Sequence, residues 1–244
     1  NKPAGMVTHP SGSHYQDSIS NLLAAYFREK NETTRIRSIG RLDKETSGIL
    51  LFARNQVAAA RLQKQREEGK LQKKYLALAE GDLSEANLSE ANDSVFWKEI
   101  AIPLAPDPEN SMKMTISPDG LLPGSRNAVT YYKNIKSFGN VTLVELQLET
   151  GRTHQIRVHM AGIGHPLLGD TMYNPRVCLK MSNSKEKKNT EGRINNRNDC
   201  FKRAALHAWK LTFCHPFTDE IITLEAPLPD DFCRFLNANE EEKT

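Results

Sequence analysis

The chain has 244 residues, of which 38% are hydrophobic and 26% charged. These fractions sit near the globular average, which excludes wholesale disorder and fibrous classes, and no run approaches the ~18 apolar residues that a helical membrane span needs. The net charge of +3 is unevenly spread: residues 1–80 carry 14 Lys+Arg against 8 Asp+Glu, whereas residues 219–244 carry 2 against 8.

A basic first third suits a polyanion such as a nucleic acid, and the acidic end reads as a solvated tail, ending in residues 237–244. Asn1–Gly5 lacks the charged-then-apolar layout of a signal peptide, and the chain reads as a piece of a longer protein. Cys178, Cys200, Cys214 and Cys233 lie 22, 14 and 19 residues apart, which fits neither a zinc ribbon nor a disulfide scaffold. They read as free thiols of a cytoplasmic protein.

In chain order, Asp17–Lys30 places Ile19, Leu22, Leu23, Tyr26 and Phe27 at helical spacing behind an Asp/Ser cap. Gly48–Ala53 is an apolar run expected to form one buried strand. Asn55 can cap a helix that Gly69 ends. Leu71–Glu80 then alternates as a strand, with Lys73, Tyr75, Ala77 and Ala79 on one face. A tandem pentapeptide, Leu83–Asn87 and Leu88–Asn92, both LSEAN, is too short for a solenoid and reads as a polar surface insertion near residues 82–95. Val129–Ile135 and Val141–Glu149 predict two strands around a turn at Ser137–Asn140. Thr153–Ala161 reads as a helix capped by Thr153. The Lys/Asn/Ser-rich stretch at 181–200 reads as a mobile loop. Leu206–Phe213 and Glu220–Ala226 read as paired strands. Strands outnumber helices and adjoin other strands, which predicts an α+β fold with a mixed, largely antiparallel central sheet, flanking helices and loops. It is expected to be a single catalytic domain over residues 1–236.

Three segments carry chemistry. In Gly40–Gly48, GRLDKETSG, Asp43 lies between Arg41 and Lys44. A carboxylate in a positive field stays ionised, as a nucleophile must. Taken singly, an RLD triplet is more often a surface turn with an exposed ion pair. In Glu149–Asp170, the residues Arg152, His154 and Arg157 fall near a helix start, where backbone N–H groups favour an anion. A metal site built from His154, His159 and His165 is the rival, disfavoured because no carboxylate or Cys sits at ligand spacing and Arg157 opposes a cation. Core histidines with surface arginines are the plain alternative. The third segment, KKYLALAEG, puts Tyr75 on a strand. An aromatic there is most often core, yet an aromatic beside cations also holds an unstacked base.

Together the blocks GRLDKETSGILLFARN, KKYLALAEG and LETGRTHQIRVHMAGIGHPLLGDTMY, with the opening NKPAGMVTHPSG and the late LHAWKLTFCHP, resemble the RluA-type pseudouridine synthases. The resemblance runs in order from Asn1 to about Pro229, outside the two polar insertions. It implies isomerisation of uridine to pseudouridine in structured RNA, ribosomal or transfer, by a monomer without cofactor or metal. Asp43 falls on the family's catalytic aspartate, Tyr75 on its pocket tyrosine and Arg157 on the basic residue that pairs with the aspartate. Arg41 falls on the arginine associated with extruding the target base. Arg152 and His154 join them as expected substrate-binding residues. Gly40 departs from the pattern, since most members of this branch carry His there and glycine is frequent in a sister branch acting on ribosomal RNA. The competing function is a catalytically silent RNA chaperone on the same fold. A histidine metal hydrolase is the third class.

Overall fold

The computed structural model describes residues 1–83, 97–178 and 201–240. The tandem pentapeptide beyond Leu83, the polar loop from residue 181, Cys200 and the last four residues fall outside them. No helix among the described residues is long and apolar enough to cross a membrane. The chain forms two compact units, Asn1–Tyr75 with His207–Pro227, and Leu76–Leu206 with Leu228–Thr244.

In the first unit, α1 (Ile19–Glu29) starts where Ser18 caps it. The Ser18 hydroxyl accepts from the Asn21 amide at 3.2 Å, and the Asn21 side chain accepts from the Ser18 amide, a capping box closed by Asn. The apolar run expected as one strand divides instead into β2 (Ser47–Gly48) and β3 (Leu51–Ala53). The break lies at Gly48, whose φ of +108° turns the chain; a Cβ there would collide with the Ala208 backbone. β3 pairs antiparallel with β1 (Arg37–Ile39), while β2 pairs parallel with β10 (Leu206–Cys214). β10 and β11 (Ile221–Glu225) form the expected hairpin. α2 (Gln56–Glu67) begins at Asn55, whose side chain accepts from the Ala58 amide at 2.8 Å. Its buried Ala58 and Leu62 pack with Ile39, Ala53, Leu211 and Phe213. Burying a Leu such as Leu62 contributes about 1.5–3 kcal/mol. The Gln65 amide then bonds both the carbonyl and the N–H of Cys214, at 2.8 and 2.9 Å, which fixes the end of α2 on the β10 backbone.

β4 (Gln72–Glu80) begins in the first unit and ends in the second. The strand order is β11–β10–β4 in the first, and β4–β9–β8–β5 in the second. There β8 (Val129–Ser137) and β9 (Val141–Leu148) pair antiparallel around the expected turn, with a bulge between Asn134 and Lys136. β5 (Lys98–Ala101) joins β8, and β6 (Leu104–Pro106) pairs with β7 (Met114–Ile116). The fold is thus α+β with a largely antiparallel sheet, as the sequence predicts.

Two expectations need correction. α3 runs Gln155–Gly162, and its cap position is His154 in a left-handed conformation, not Thr153. Gln155 takes over the anchoring: its carbonyl oxygen accepts from the Arg152 amide and the Thr150 hydroxyl, both at 2.9 Å, and its NH2 reaches the Val129 carbonyl. The acidic end is not a solvated tail as far as Glu240. It forms α4 (Asp230–Glu240), which buries Phe232 and Phe235 against Leu78, Leu143, Leu168 and Phe201. Asp231 holds the Arg203 guanidinium at 2.7 and 3.0 Å. Charge counting missed the apolar i, i+3 pair that drives this docking.

Candidate active site

The loop that carries Asp43 is built in the first unit and held through its backbone. Leu42 is buried, and its N–H and C=O both bond the Thr8 hydroxyl, at 3.2 and 3.0 Å. Lys2 is fully buried, and its ammonium donates to the carbonyls of Pro3, Met6 and Lys44 at 2.8, 2.7 and 3.1 Å. The Gly5 amide also donates to the Lys44 carbonyl, and the Thr46 amide closes a turn on the Asp43 carbonyl. The N-terminal segment therefore grips the chain immediately on both sides of Asp43. The Asp43 side chain is half-buried and Arg41 beside it is exposed.

Tyr75 belongs to the same unit and is buried. Burial, and then the negative charge of Asp43, push its phenol well above the ordinary range; Arg66 opposes weakly. The phenol therefore keeps its proton at every physiological pH. Lys73, on the same face of β4, is half-buried, and dehydration with the nearby Arg66 charge lowers its amine to about 8. His9 bonds the Ser38 and Ser20 hydroxyls, and burial followed by the Arg41 charge depresses its pKa. Tyr75 thus lies in reach of the Asp43 and Arg66 charges, and Lys73 in reach of Arg66.

The other expected residues belong to the second unit. Arg157 is buried on α3, and its Nε and Nη2 donate to the two carboxylate oxygens of Asp170 at 2.7 and 2.8 Å. Asp170 is completely buried and also accepts from the amides of Met172 and Tyr173 at 2.9 and 3.1 Å. The Tyr173 ring lies 5.0 Å from the Arg157 guanidinium, and its hydroxyl is 2.8 Å from His154 Nδ1 and accepts from the Met114 amide. The left-handed turn at His154 is what lets its imidazole reach Tyr173. Arg152 donates through Nε to the Asn127 carbonyl at 3.0 Å. The arginines expected at the start of α3 therefore point to different partners: Arg152 to a loop, Arg157 into a buried ion pair. His159 bonds Thr130 Oγ1 and the Ile102 carbonyl, while His165 bonds the Glu80 carbonyl, so the three histidines of the metal alternative serve three separate networks. Among the described residues no His/Cys/Asp/Glu group could hold a metal.

Lys2, Thr8, Lys73, Arg66 and Asp170 were not singled out in the sequence. Lys2, Thr8, Lys73 and Asp170 lie inside the family-like blocks, which is the available signal. Nothing local marked Arg66, one cation among many on an exposed helix.

A family model described as RNA pseudouridylate synthase matches residues 1–162. An uncharacterized RNA pseudouridine synthase of Bacillus subtilis, YhcT, is 38% identical over 233 residues, covering 95% of this chain and 65% of that protein. Ribosomal large subunit pseudouridine synthase D of Pasteurella multocida is 34% identical, covering 98% of this chain and 66% of that one. The chain thus spans slightly under two thirds of the length of these two relatives. The fold of human RNA pseudouridylate synthase domain containing 4 superposes with a TM-score of 0.72 at 24% identity, over 98% of this chain and 88% of that one. With the family model covering well over half of the sequence, and the aspartate loop and tyrosine strand both inside the matched region, the chain belongs to the RNA pseudouridylate synthase family.

Proposed function

We propose that the protein isomerises specific uridines to pseudouridine in structured RNA, with residues 1–236 as one catalytic domain. The relatives named for the large ribosomal subunit favour ribosomal RNA as the substrate class. The observation that carries the reading is the clamped Asp43 loop beside a buried, permanently protonated Tyr75.

The reaction conserves atoms. The bond from uracil N1 to ribose C1′ breaks, the base turns, and C5 bonds C1′. The hydrogen on C5 leaves as a proton, and N1 ends with one. Asp43 is the group that attacks uracil C6 or ribose C1′, or steadies the departing base. Tyr75 packs its ring on the uracil, and its protonated hydroxyl can donate a hydrogen bond. Everting the nucleotide costs a few kcal/mol of stacking, offset by phosphate contacts from the basic first unit, Arg41 among them. On the family resemblance Arg157 is the basic partner of the aspartate, and Arg152 and His154 contact substrate. The reaction as written asks for no cofactor, and the reading is of a monomer in the cytoplasm.

RNA carrying tritium at uridine C5 tests this. Wild type releases label to water, and Asp43→Asn lowers the rate by roughly a thousandfold or more. Equal release by both would remove the assigned nucleophile. Salt-sensitive RNA binding with no release by wild type would support the silent chaperone instead.

A further inference from the structure

α2 ends against the catalytic loop in a way the isomerase reading leaves unexplained. The Gln65–Cys214 bonds fix its last turn, and Arg66 then lays its guanidinium over Gly40, three residues before Asp43. A Cβ at position 40 would lie 3.7 Å from Arg66 Cζ and 3.8 Å from Nε. Gly40 has a φ of +79° and no side chain, so the guanidinium occupies the space beside the loop. Its charge reaches both Tyr75 and Lys73.

Neither cation has a side-chain hydrogen bond or ion pair among the described residues, although anions are close along the helix. Glu67 accepts from Gln63 at 3.0 Å, and Glu68 takes Lys70 at 2.8 Å and Lys64 at 3.7 Å. Elsewhere in the unit, Arg54 pairs with Glu32 and Lys210 with Glu225. Arg66 and Lys73 lie in each other's field, and two like charges so placed repel and cost stability. The cost is recovered when an external anion enters between them, and an Arg–Lys pair suits a phosphodiester, with a planar fork on two oxygens and a compact ammonium on a third.

We propose that Arg66 and Lys73 form a phosphate-binding subsite that takes an RNA backbone phosphodiester next to the uridine at Asp43. The subsite rests on the RNA reading but not on the isomerisation. It positions the strand so that the neighbouring nucleotide is presented to Tyr75.

The test uses fluorescence anisotropy with a uridine-containing RNA stem-loop, on the full chain carrying Asp43→Asn so that turnover does not intrude. Arg66→Gln and Lys73→Met each weaken binding roughly three- to tenfold at 0.1 M salt and each lower the slope of log affinity against log salt by about one. Lys210→Gln, removing a cation already paired, leaves both unchanged. Because Arg66 also sits in the last turn of α2, where a cation favours the helix dipole, thermal melts accompany the titrations. If Arg66→Gln lowers the melting temperature but keeps affinity and slope, the residue serves the helix and the subsite is overturned. Label release by the otherwise native chain separates the two readings: no release with the slope changes present removes the isomerase and keeps the subsite, whereas release with unchanged slopes removes the subsite alone.

Discussion

The Asp43 loop and the Arg157–Asp170 pair are positioned by opposite means. The loop is gripped through its backbone: the buried Lys2 ammonium holds the Lys44 carbonyl, and the Thr8 hydroxyl holds both polar groups of Leu42. Its charged side chains, Asp43, Arg41, Arg66 and Lys73, are left half-buried or exposed. In the second unit the charges hold each other, since Arg157 and Asp170 are both buried and joined by two short bonds, with two amides on the same carboxylate. Holding a loop by its backbone frees its side chains for a ligand, whereas a closed ion pair gives rigidity and spends its charge inside. Loss of the Asp170 carboxylate should therefore act first on stability, whereas substitutions at Asp43, Arg41, Arg66 and Lys73 should act mainly on binding or turnover.

The largest stability effect is expected at Asp170. Asp170→Ala leaves the Arg157 guanidinium and two amides without their acceptor inside the protein, and breaking a buried pair of this kind costs about 3–5 kcal/mol. Urea denaturation measures it, and a loss below about 1 kcal/mol would mean that the pair is not sealed from water. Lys2→Met comes next. It removes the donor to three carbonyls and should cost about 1–3 kcal/mol, with a further fall in label release because the Lys44 carbonyl, one residue from Asp43, is freed. An unchanged rate in the folded Lys2→Met protein would show that the clamp does not position the nucleophile.

The sequence revealed the parts of this contrast that repeat locally. Helical spacing and caps located α1 and α2, alternation located β4, β8 and β9, and the ordered blocks located Asp43 and Tyr75. Illegible were features made by distant residues or by very short segments. Lys2 meets Lys44 across 42 positions and Thr8 meets Leu42 across 34, so no periodicity marks either. β5, β6 and β7 are three or four residues long and lie around Pro103 and Pro106, too brief for alternation to register. GILLFA reads as one strand because composition alone does not display the turn at Gly48. The second half of the RNA clamp was hidden for another reason: Arg66 has the same local pattern as Lys64, and only the fold sets one over Gly40 and the other by Glu68.

Smaller effects sharpen the first half of the comparison. Thr8→Val removes one donor and one acceptor at Leu42 and should cost about 1–2 kcal/mol, while lowering the turnover number more than RNA affinity, because only the Asp43 loop is loosened. The smallest is a pH effect with two signs. Lys73 titrates near 8 in the folded chain and near 10.5 when unfolded. Between those values the unfolded chain binds more protons, so folding stability gains from Lys73 as pH rises through that window. RNA affinity moves the other way, because the ammonium that grips phosphate is lost as pH climbs through about 8. The other shifted groups of the unit, His9, Asp17 and Glu68 below their usual values and Lys70 and Tyr75 above theirs, do not titrate between pH 7 and 9. Chemical denaturation and anisotropy across that range, each compared with Lys73→Met, separate the two trends. The variant should lose both slopes together, since one amine produces them, and loss of only one would mean that the amine facing the RNA is not the one that titrates.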